Sequence, residues 1–377
     1  MRQTVLTVSA VVTAALLSAC AGGGSPAGSL NPSVPTATTG GSVANPASRG
    51  GSAVNYAIYR DANGRFMPHW AQHATLIPKG MLPTSQQSFH GKHPPAGVGK
   101  GGIYVSELLG NNIYEFSHKN TGNNPPNCAI TGDSFANDIA SDGAGDILAP
   151  DGSSPSVQVY KADGTCGSQI GSVTESYGEP VDVTSANATT GTIAVANIFD
   201  NDFAAGSISL CTLGGGCTKN LTSSDIYLFA SVAMAKNGDC WASGYSQSGK
   251  PALEYFQGCS GSGQAATGYN NTTFGGMDID NHGNLLSIDS VAETATVYSG
   301  CNPACKVVSG PFTLQGFGIF GHFNHQAMTF AVADIGFGQV DVYKYANSTL
   351  TYWYSFNNGL QGYDGVEGVT YAPGSKE

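Results

Sequence analysis

This chain has few charged residues, and few of those are basic. Asp, Glu, Lys and Arg make up 11% of its 377 residues, whereas globular proteins typically have about 25%. The 15 Lys and Arg residues are scattered, and the formal net charge is −11. Because nucleic-acid phosphates are bound by clustered basic side chains, this composition argues against a nucleic-acid partner. An acidic surface is better suited to cations or sugars.

Several catalytic and metal-binding motifs are also missing. The chain has no Gly-x-Ser-x-Gly nucleophile elbow and no His-Glu-x-x-His pair, so nucleophilic and zincin-type hydrolysis have no support in the sequence. Paired Cys-x-x-Cys knuckles are absent, which argues against a zinc finger. Glycines in residues 97–102 match the spacing of a dinucleotide-binding loop, but they lead into a strand and not a helix, so we interpret them as an ordinary loop.

No segment after the N-terminus is apolar over the roughly 18 residues that a membrane span needs. The N-terminus has Arg2, an apolar run over residues 5–17, and then Leu17-Ser18-Ala19-Cys20. This pattern resembles a bacterial lipoprotein signal peptide, in which cleavage before the cysteine leaves its thiol to be lipidated. Ser18 and Ala19 also fit an ordinary secretory signal. The Gly-Gly-Gly-Ser run after Cys20 favours the lipoprotein, because such a run is a flexible tether.

The signal sets the expected order of segments. We predict a lipoprotein signal peptide at 1–19, lipidation at Cys20, a flexible Gly/Ser/Pro linker at 20–52, a non-repetitive capping segment at 53–101 and a folded domain at 102–377. Acyl chains on Cys20 would anchor the protein to a membrane of a bacterial cell envelope. In a Gram-negative cell, the lack of Asp after Cys20 resembles sorting to the outer membrane.

A short apolar strand recurs six times along the folded domain. The clearest copies, residues 276–289 and 137–149, read as a strand, an Asp/Asn/Gly turn and a second strand. The residues that we align with Ile279 are Ile139, Val183, Met234, Phe320 and Tyr371. Successive copies are 44, 51, 45, 41 and 51 residues apart. A period in the forties is typical of a four-stranded propeller blade.

The two ends of the folded domain are each incomplete. The last copy, residues 368–373, has too little chain after it to form a blade, while the first strands, residues 103–106 and 112–116, lack an innermost partner. We therefore predict an all-β, six-bladed β-propeller in which the C-terminal strand closes the N-terminal blade. Closure of this kind removes open sheet edges, which otherwise favour aggregation.

The repeat unit also resembles a known family. The pattern Gly-hydrophobic-x-hydrophobic-Asp-x-x-Gly-Asn-hydrophobic, found at residues 276–285, is similar to the NHL repeat and to the wider group of TolB-like six-bladed propellers. The resemblance covers about residues 102 to 373 and implies the same fold. The copies around Met234 and Phe320 depart from the pattern, and Phe320 is followed by Gly-His-Phe-Asn-His where a short Asp/Asn-Gly turn is expected.

The cysteines predict disulfides. If Cys20 is lipidated, eight of the nine remain, and an even number in an exported protein indicates disulfide bonds. Two pairs follow from their short spacing, and each would staple a turn within one blade: Cys211 with Cys217, and Cys301 with Cys305. For the four that remain we predict Cys240 with Cys259 and Cys128 with Cys166, but the sequence leaves the connectivity of these four open.

Carboxylates recur where the innermost strands begin. Asp138, Asp182 and Asp278 align in three copies, and Glu179 matches Glu367 just before the strand. Because the innermost strands of a propeller line its central channel, these five side chains would converge near the channel mouth. Such oxygen clusters bind hard cations, so calcium is a candidate, although we predict no obligatory cofactor. The competing interpretation is that the aspartates bond to the backbone of a neighbouring blade.

Two further metal sites are weaker candidates. Residues 364–369 resemble the Glu-Gly start of gluconolactonase-like propellers, whose metal is held by Glu, Asn and Asp around the channel; Glu367 would match the Glu, but the Asn and Asp have no matching motif in this chain. In the capping segment, His69 and His73 would share one face of a helical turn, and His90 and His93 could join them. The simpler interpretation is a cap with exposed histidines.

The sequence therefore favours a lipid-anchored, extracytoplasmic propeller that acts as a non-catalytic binding or scaffold module. Its partner would be an envelope protein, a glycan or a cell-wall component. The alternative is a metal-dependent lactonase or related hydrolase of the gluconolactonase-like type, which would use Glu367 together with the channel carboxylates. Fold alone does not decide between the two.

Overall fold

The protein is an all-β ring of six four-stranded antiparallel sheets in a computed structural model. The structure describes residues 102–107, 112–117, 123–131, 137–142, 146–151, 155–162, 166, 169–184, 191–201, 205–360 and 366–372. The predicted six-bladed propeller is confirmed. The predicted signal peptide, linker and capping segment, with Cys20 and the two histidine pairs of the cap, lie outside the described residues and stay predictions.

Each blade is one antiparallel sheet, in which strands are named in their spatial order. Blade 1 contains β24 (Val366–Tyr371), β1 (Gly102–Glu107), β2 (Asn112–Ser117) and β3 (Cys128–Thr131). Blade 2 contains β4 (Ala140–Ser141), β5 (Asp146–Asp151), β6 (Ser156–Lys161) and β7 (Gln169–Thr174). Blade 3 contains β8 (Gly178–Val183), β9 (Thr192–Asp200), β10 (Ser207–Thr212) and β11 (Gly216–Leu221).

The other three blades follow the same order along the chain. Blade 4 contains β12 (Leu228–Met234), β13 (Cys240–Tyr245), β14 (Pro251–Phe256) and β15 (Gln264–Ala265), with a short 3-10 turn at Gln257–Cys259. Blade 5 contains β16 (Met277–Ile279), β17 (Leu285–Asp289), β18 (Thr294–Ser299) and β19 (Lys306–Thr313). Blade 6 contains β20 (Gly318–Phe323), β21 (Thr329–Asp334), β22 (Gln339–Ala346) and β23 (Thr349–Phe356).

The turn after the innermost strand is set by an Asp or Asn side chain in three blades. In blade 5 the Asp280 carboxylate accepts hydrogen bonds from the amides of His282 and Asn284, each at 2.8 Å. Asp142 accepts from the Asp146 amide in blade 2, also at 2.8 Å. In blade 6 the Asn324 side chain accepts from the Met328 amide at the same distance. These side chains accept hydrogen bonds from backbone amides that the turn would otherwise leave unpaired, which explains the recurring Asp in the repeat.

The turns fix the alignment between blades and correct it in blade 2. Asp142 and Asp280 begin equivalent turns, because each has its amide bonded to a carbonyl four residues ahead. Ser141 therefore corresponds to Ile279, and the alignment with Ile139 was wrong by two residues. The error came from matching the Asp-Ile pairs at 138–139 and 278–279. Asp138 thus lies two residues earlier in its strand than predicted, but on the same side, because side chains alternate with a period of two.

The alignment in blade 6 was also wrong. The Asn324 amide bonds to the Thr329 carbonyl, five residues ahead, so this turn is one residue longer than those of blades 2 and 5. Phe323 therefore corresponds to Ile279, and Phe320 lies three residues earlier. This shift places His322 at the position that Asp278 has in blade 5.

The two ends of the folded domain pair as predicted. β24 is antiparallel to β1, with Ile103 opposite Tyr371 and Val105 opposite Val369. The Ala372 amide donates to the Gly102 carbonyl at 2.8 Å. All six residues of β24 are buried. The C-terminal strand is therefore the innermost strand of the blade that the N-terminal strands begin.

Glycine at the start of an innermost strand allows neighbouring blades to touch. A Cβ atom added at Gly276 would lie 2.7 Å from the Phe320 Cα atom of the next blade. At Gly368, the added atom would lie 2.6 Å from the Asn137 carbonyl oxygen. These are backbone atoms that cannot move aside, so the first glycine of the repeat is required by backbone packing around the ring.

Six apolar clusters hold the sheets together, one at each of the six junctions between neighbouring blades. At the junction of blades 6 and 1, for example, Phe320 and Val340 pack with Val105 and Val369. The junction of blades 6 and 1, where the ring closes, thus has an apolar cluster like those at the other five junctions. Burial of this kind is the main stabilising term of the ring.

Four disulfides confirm all four predicted pairs. Cys211–Cys217 joins β10 to β11, Cys301–Cys305 closes the turn between β18 and β19, and Cys240–Cys259 joins β13 to the 3-10 turn. Cys128–Cys166 instead links blade 1 to blade 2. Disulfides of this number indicate an oxidising, extracytoplasmic environment. Over the part of the chain that the structure describes, no helix has the length and hydropathy to span a bilayer.

Blade 6 also buries a pair of carboxyl groups, Asp334 and Asp341. Burial, and next the charge of Asp341, raise the pKa of Asp334 well above its ordinary value. Burial raises the pKa of Asp341 to about 6, against the opposing effect of its hydrogen bonds. Those bonds come to Oδ1 from Ser355 Oγ at 2.5 Å and Gln339 Nε2 at 2.7 Å.

Removal of β24 should abolish cooperative folding. A chain that ends after Asn358 loses Val366, Val369 and Tyr371 from the core, and burial of such side chains contributes about 1.5–3 kcal/mol each. That loss is comparable to the whole free energy of unfolding of a typical protein, about 5–15 kcal/mol. Thermal unfolding followed by circular dichroism should show no single transition. A chain that ends after Ala372, which keeps β24, is the control; equal midpoints for the two chains would contradict ring closure.

Asp341→Asn should stabilise the protein more at pH 7 than at pH 4. Between the ordinary pKa of 3.8 and the folded-state pKa of about 6, the folded protein binds more protons than the unfolded chain, so the contribution of Asp341 to stability falls as pH rises. Asn keeps the acceptor oxygen and removes this loss. The difference in unfolding free energy between variant and wild type, measured in urea, should grow by about 3 kcal/mol over this range. Exposed Asp225→Asn is the control, and a difference that does not vary with pH would refute the prediction.

Candidate functional site

The innermost strands bring four ionisable side chains together inside the ring. Asp138 comes from just before β4, Asp182 from β8, Asp278 from β16 and His322 from β20. They belong to blades 2, 3, 5 and 6. We call this group the channel cluster. Three of its members were predicted as channel carboxylates, and the fourth was not.

His322 is the centre of the channel cluster. Its Nε2 lies 3.0 Å from Asp138 Oδ2, and its Nδ1 lies 3.3 Å from Asp278 Oδ2. The imidazole is only 6% exposed. Asp278 belongs to the neighbouring blade, whereas blade 1 separates Asp138 from His322 in the ring. The imidazole therefore links inner strands that are not adjacent.

Asp278 is fixed by backbone amides. Its Oδ1 accepts from the Ile279 amide at 2.7 Å, and its Oδ2 accepts from the Phe323 amide at 2.9 Å. The second bond crosses from blade 5 to blade 6. The side chain is 28% exposed, so solvent reaches the channel cluster from the side of Asp278.

Asp182 is buried and only partly satisfied. Its Oδ2 accepts from the Val232 amide of blade 4 at 2.7 Å, and the Ser231 side chain also interacts with the carboxylate, whereas Oδ1 has no partner in hydrogen-bonding geometry. Asp182, Asp138 and His322 each place one potential ligand atom within 4.8 Å of the other two. A buried carboxylate oxygen without a donor is costly, and this one lies in a group that can bind a cation.

The charges in the cluster are coupled. Burial lowers the pKa of His322, but the charge and hydrogen bonding of Asp138 and Asp278 outweigh it, so the pKa lies well above its ordinary value. Burial, followed by the negative charge of Asp138, raises the pKa of Asp182 well above its ordinary value. The raised pKa favours the imidazolium form of His322, in which both nitrogens donate to carboxylates.

The two predicted glutamates also lie on innermost strands. Glu179 in β8 and Glu367 in β24 are both buried and occupy equivalent positions, four residues before Val183 and Tyr371. Among the described residues, neither glutamate belongs to a group with metal-binding geometry. Asp138, Asp182 and Asp278 lie around His322, and Asp182 and Asp278 also bond to the backbone of the next blade. The convergence of the two glutamates with them stays a prediction.

His322 was missed because the alignment of blade 6 was wrong. The sequence contains two histidines there, His322 and His325, and only His322 is buried. Had the Asn324 turn been aligned with the Asp280 turn, His322 would have matched Asp278 directly. The signal was present, but the extra turn residue hid it.

Two other groups with metal-binding geometry contain oxidised cysteines. Glu175 lies beside Cys211 and Cys217, and Glu115 lies beside Cys128 and Cys166. Each cysteine pair forms a disulfide. Because the thiolate is the metal-binding form of cysteine, neither group is a metal site in the oxidised protein.

Comparisons with known proteins support the fold. No protein-family model matches the chain. No curated protein matches it either. A protein of unknown function from Bacteroides caccae has a similar structure, with a TM-score of 0.53 and 12% identity over 72% of this chain and 99% of that one. A chain of a nidogen/laminin complex has a TM-score of 0.51 and 14% identity over 72% and 98%.

A third similar structure is a functionally unknown protein from Desulfotomaculum acetoxidans. Its TM-score is 0.49, with 12% identity over 69% of this chain and 81% of that chain. For the two structures with TM-scores above 0.5, identities this low establish the fold alone.

His322→Ala should strongly destabilise the ring. It leaves Asp138, Asp182 and Asp278 close together with no compensating cation, and loss of one partner from a buried ion pair typically costs about 3–5 kcal/mol. Urea denaturation measures the change. His325→Ala is the matched control, because His325 is exposed and three residues away, and it should change stability by no more than about 0.5 kcal/mol. Equal effects of the two substitutions would show that the imidazole does not hold the inner strands.

Proposed function

We propose that this protein is an exported, lipid-anchored propeller that acts as a non-catalytic module and binds a protein partner in the bacterial cell envelope. The observation that supports a non-catalytic role most directly is the state of His322. Both of its nitrogens are engaged by carboxylates, and the ring is buried. A general base must have a free nitrogen within reach of a substrate proton, and this imidazole has none.

The lactonase alternative depends on Glu367 as a metal ligand. Glu367 is 2% exposed and lies outside the described groups that have metal-binding geometry. The resemblance that suggested it therefore finds no ligand set around it within the described residues. A binding role requires neither a ligand set nor a base.

A protein partner is favoured by apolar side chains on two adjacent blades. Four large apolar side chains are exposed within the described ranges, and three of them, Val307, Val308 and Met328, lie on blades 5 and 6. We call these three residues the rim patch. Ser309 donates to the Ser348 carbonyl, and the Tyr345 amide donates to the Met328 carbonyl. The strand that carries Val307 and Val308, and the residue Met328, therefore both bond to residues 345–348 at the end of β22.

Aromatic side chains border the rim patch. Tyr352 and Trp353 on the outermost strand of blade 6 are partly exposed, and Lys344 Nζ lies 4.7 Å from the centre of the Trp353 ring. Protein interfaces are enriched in Met, Tyr and Trp. At the level of fold, the similar propeller that was crystallised as part of a nidogen/laminin complex is consistent with recognition of a protein.

The signal pattern and the disulfides support a location in the bacterial cell envelope. The Leu17-Ser18-Ala19-Cys20 pattern provides a lipidation site, and the four disulfides require oxidation. A rigid frame stapled in this way loses little conformational entropy on binding, which favours affinity.

A photo-crosslinking amino acid at Val307 or Met328 should capture one and the same protein in intact cells. The expected result is a single crosslinked band that is common to both positions and absent from Lys219, an exposed control position on blade 3. The replacement Val308→Asp should reduce the yield at Val307 at least about tenfold, because a charge at the centre of an apolar interface is left without a partner. Capture of the same band from Lys219 would contradict a specific rim interface.

The lactonase alternative gives a different outcome. Purified protein would hydrolyse lactones in the presence of a divalent metal, and Glu367→Gln would abolish turnover. We expect no such turnover with calcium, zinc or manganese. Metal-dependent hydrolysis that is lost in Glu367→Gln would overturn the proposed function, whatever the crosslinking shows.

A further inference from the structure

We propose that Asp138, Asp182 and His322 form a binding site for a zinc-like divalent metal ion inside the ring, with Asp278 as the residue that positions His322. This inference goes beyond the proposed function and does not depend on it. The site differs from the Glu367 site that the gluconolactonase-like resemblance suggests, because it uses blades 2, 3 and 6.

The spacing of the donor atoms suits one ion. Two ligand atoms that bind a tetrahedral zinc ion at about 2.1 Å lie about 3.4 Å apart. His322 Nε2 and Asp138 Oδ2 are 3.0 Å apart and share a proton, so a bound ion takes the place of that proton, which is released to solvent, and the pair opens by about 0.4 Å. Asp182 contributes an oxygen within 4.8 Å of the donors of both residues. Three ligands of this kind leave further positions for water.

Asp278 is placed to orient the imidazole of His322. In metal proteins, a carboxylate often orients a metal-bound histidine in the same way. A metal-binding histidine usually donates its other ring N–H to a carboxylate, which fixes the tautomer and the ring plane. His322 Nδ1 faces Asp278 Oδ2 at 3.3 Å, so Nε2 is directed at Asp138. Asp278 is itself fixed by the amides of Ile279 and Phe323. The exposed part of Asp278 gives an ion a route from solvent.

An independent observation points to a ligand. Asp182 is only 1% exposed, and its Oδ1 accepts no hydrogen bond. Buried polar atoms without partners are rare, and each calls for an explanation such as an ion. Since Oδ2 is already held by the Val232 amide, Oδ1 is the Asp182 oxygen left for a further ligand, and this carboxylate belongs to the same group as Asp138 and His322.

The donor set favours a transition metal over calcium. Calcium takes six to eight oxygen ligands, whereas imidazole and carboxylate together suit zinc and its neighbours in the first row. A bound ion would join the innermost strands of blades 2, 3 and 6. It would therefore brace the ring by linking three innermost strands, without any need for chemistry.

Calorimetric titration of the full-length, chelator-treated protein with zinc chloride tests the site. We expect one zinc ion per chain, a melting temperature that rises with zinc concentration, and calcium binding about 100-fold weaker. Asp182→Asn should weaken zinc at least about tenfold while keeping the acceptor for the Val232 amide. Asp278→Asn should weaken it about 10- to 100-fold, as loss of a carboxylate that orients a metal ligand does.

Cobalt provides a readout that a merely structural effect would not change. The visible absorption of bound cobalt should lose its nitrogen-ligand contribution in His322→Gln, whose folding is checked by circular dichroism. Asp341→Asn and the double variant His69→Gln/His73→Gln are controls, and both should bind zinc as the wild type does. Absence of saturable zinc binding, unchanged binding in Asp182→Asn and His322→Gln, or calcium tighter than zinc would each overturn the proposal. None of these outcomes bears on the partner captured at the rim patch.

Discussion

Antiparallel pairing of β24 with β1 closes the ring and sets the positions of all six blades. β24 supplies the innermost strand of a blade whose other strands lie at the opposite end of the folded domain. Because the ring closes there, blade 1 holds blades 6 and 2 at a fixed separation. His322 and Asp138, which are 184 residues apart in the sequence, meet inside the ring for this reason. The channel cluster is thus a consequence of closure and not of any local motif.

The channel cluster is not needed for cohesion. Every junction between blades already has its own apolar cluster. Burial of charges is costly, and apolar side chains of similar volume would stabilise the centre of the ring as well or better. Four ionisable groups on four different blades therefore indicate a role other than packing.

Much of the fold could be predicted from the sequence, because blades repeat and each repeat has local turn chemistry. The Asp280 turn, Gly276 and the unpaired end strands predicted the hairpins, the period and the closure. The channel was harder, because its geometry depends on residue-level alignment. One additional residue in the Asn324 turn hid His322, and a chance Asp-Ile pair displaced Asp138 by two residues. Asp138 still faces the channel, because residues two positions apart in a strand have their side chains on the same side.

Blade 6 connects the inside of the ring to its exposed surface. Its innermost strand holds His322, and its outer strands and their turn hold Tyr352, Trp353 and residues 345–348, to which β19 and Met328 bond. The strands between them are paired along most of their length. Whatever fixes His322 therefore also fixes the sheet that presents the rim, and a fixed surface loses less entropy on binding. The polar centre and the apolar rim thus have separate chemistry but share one rigid sheet.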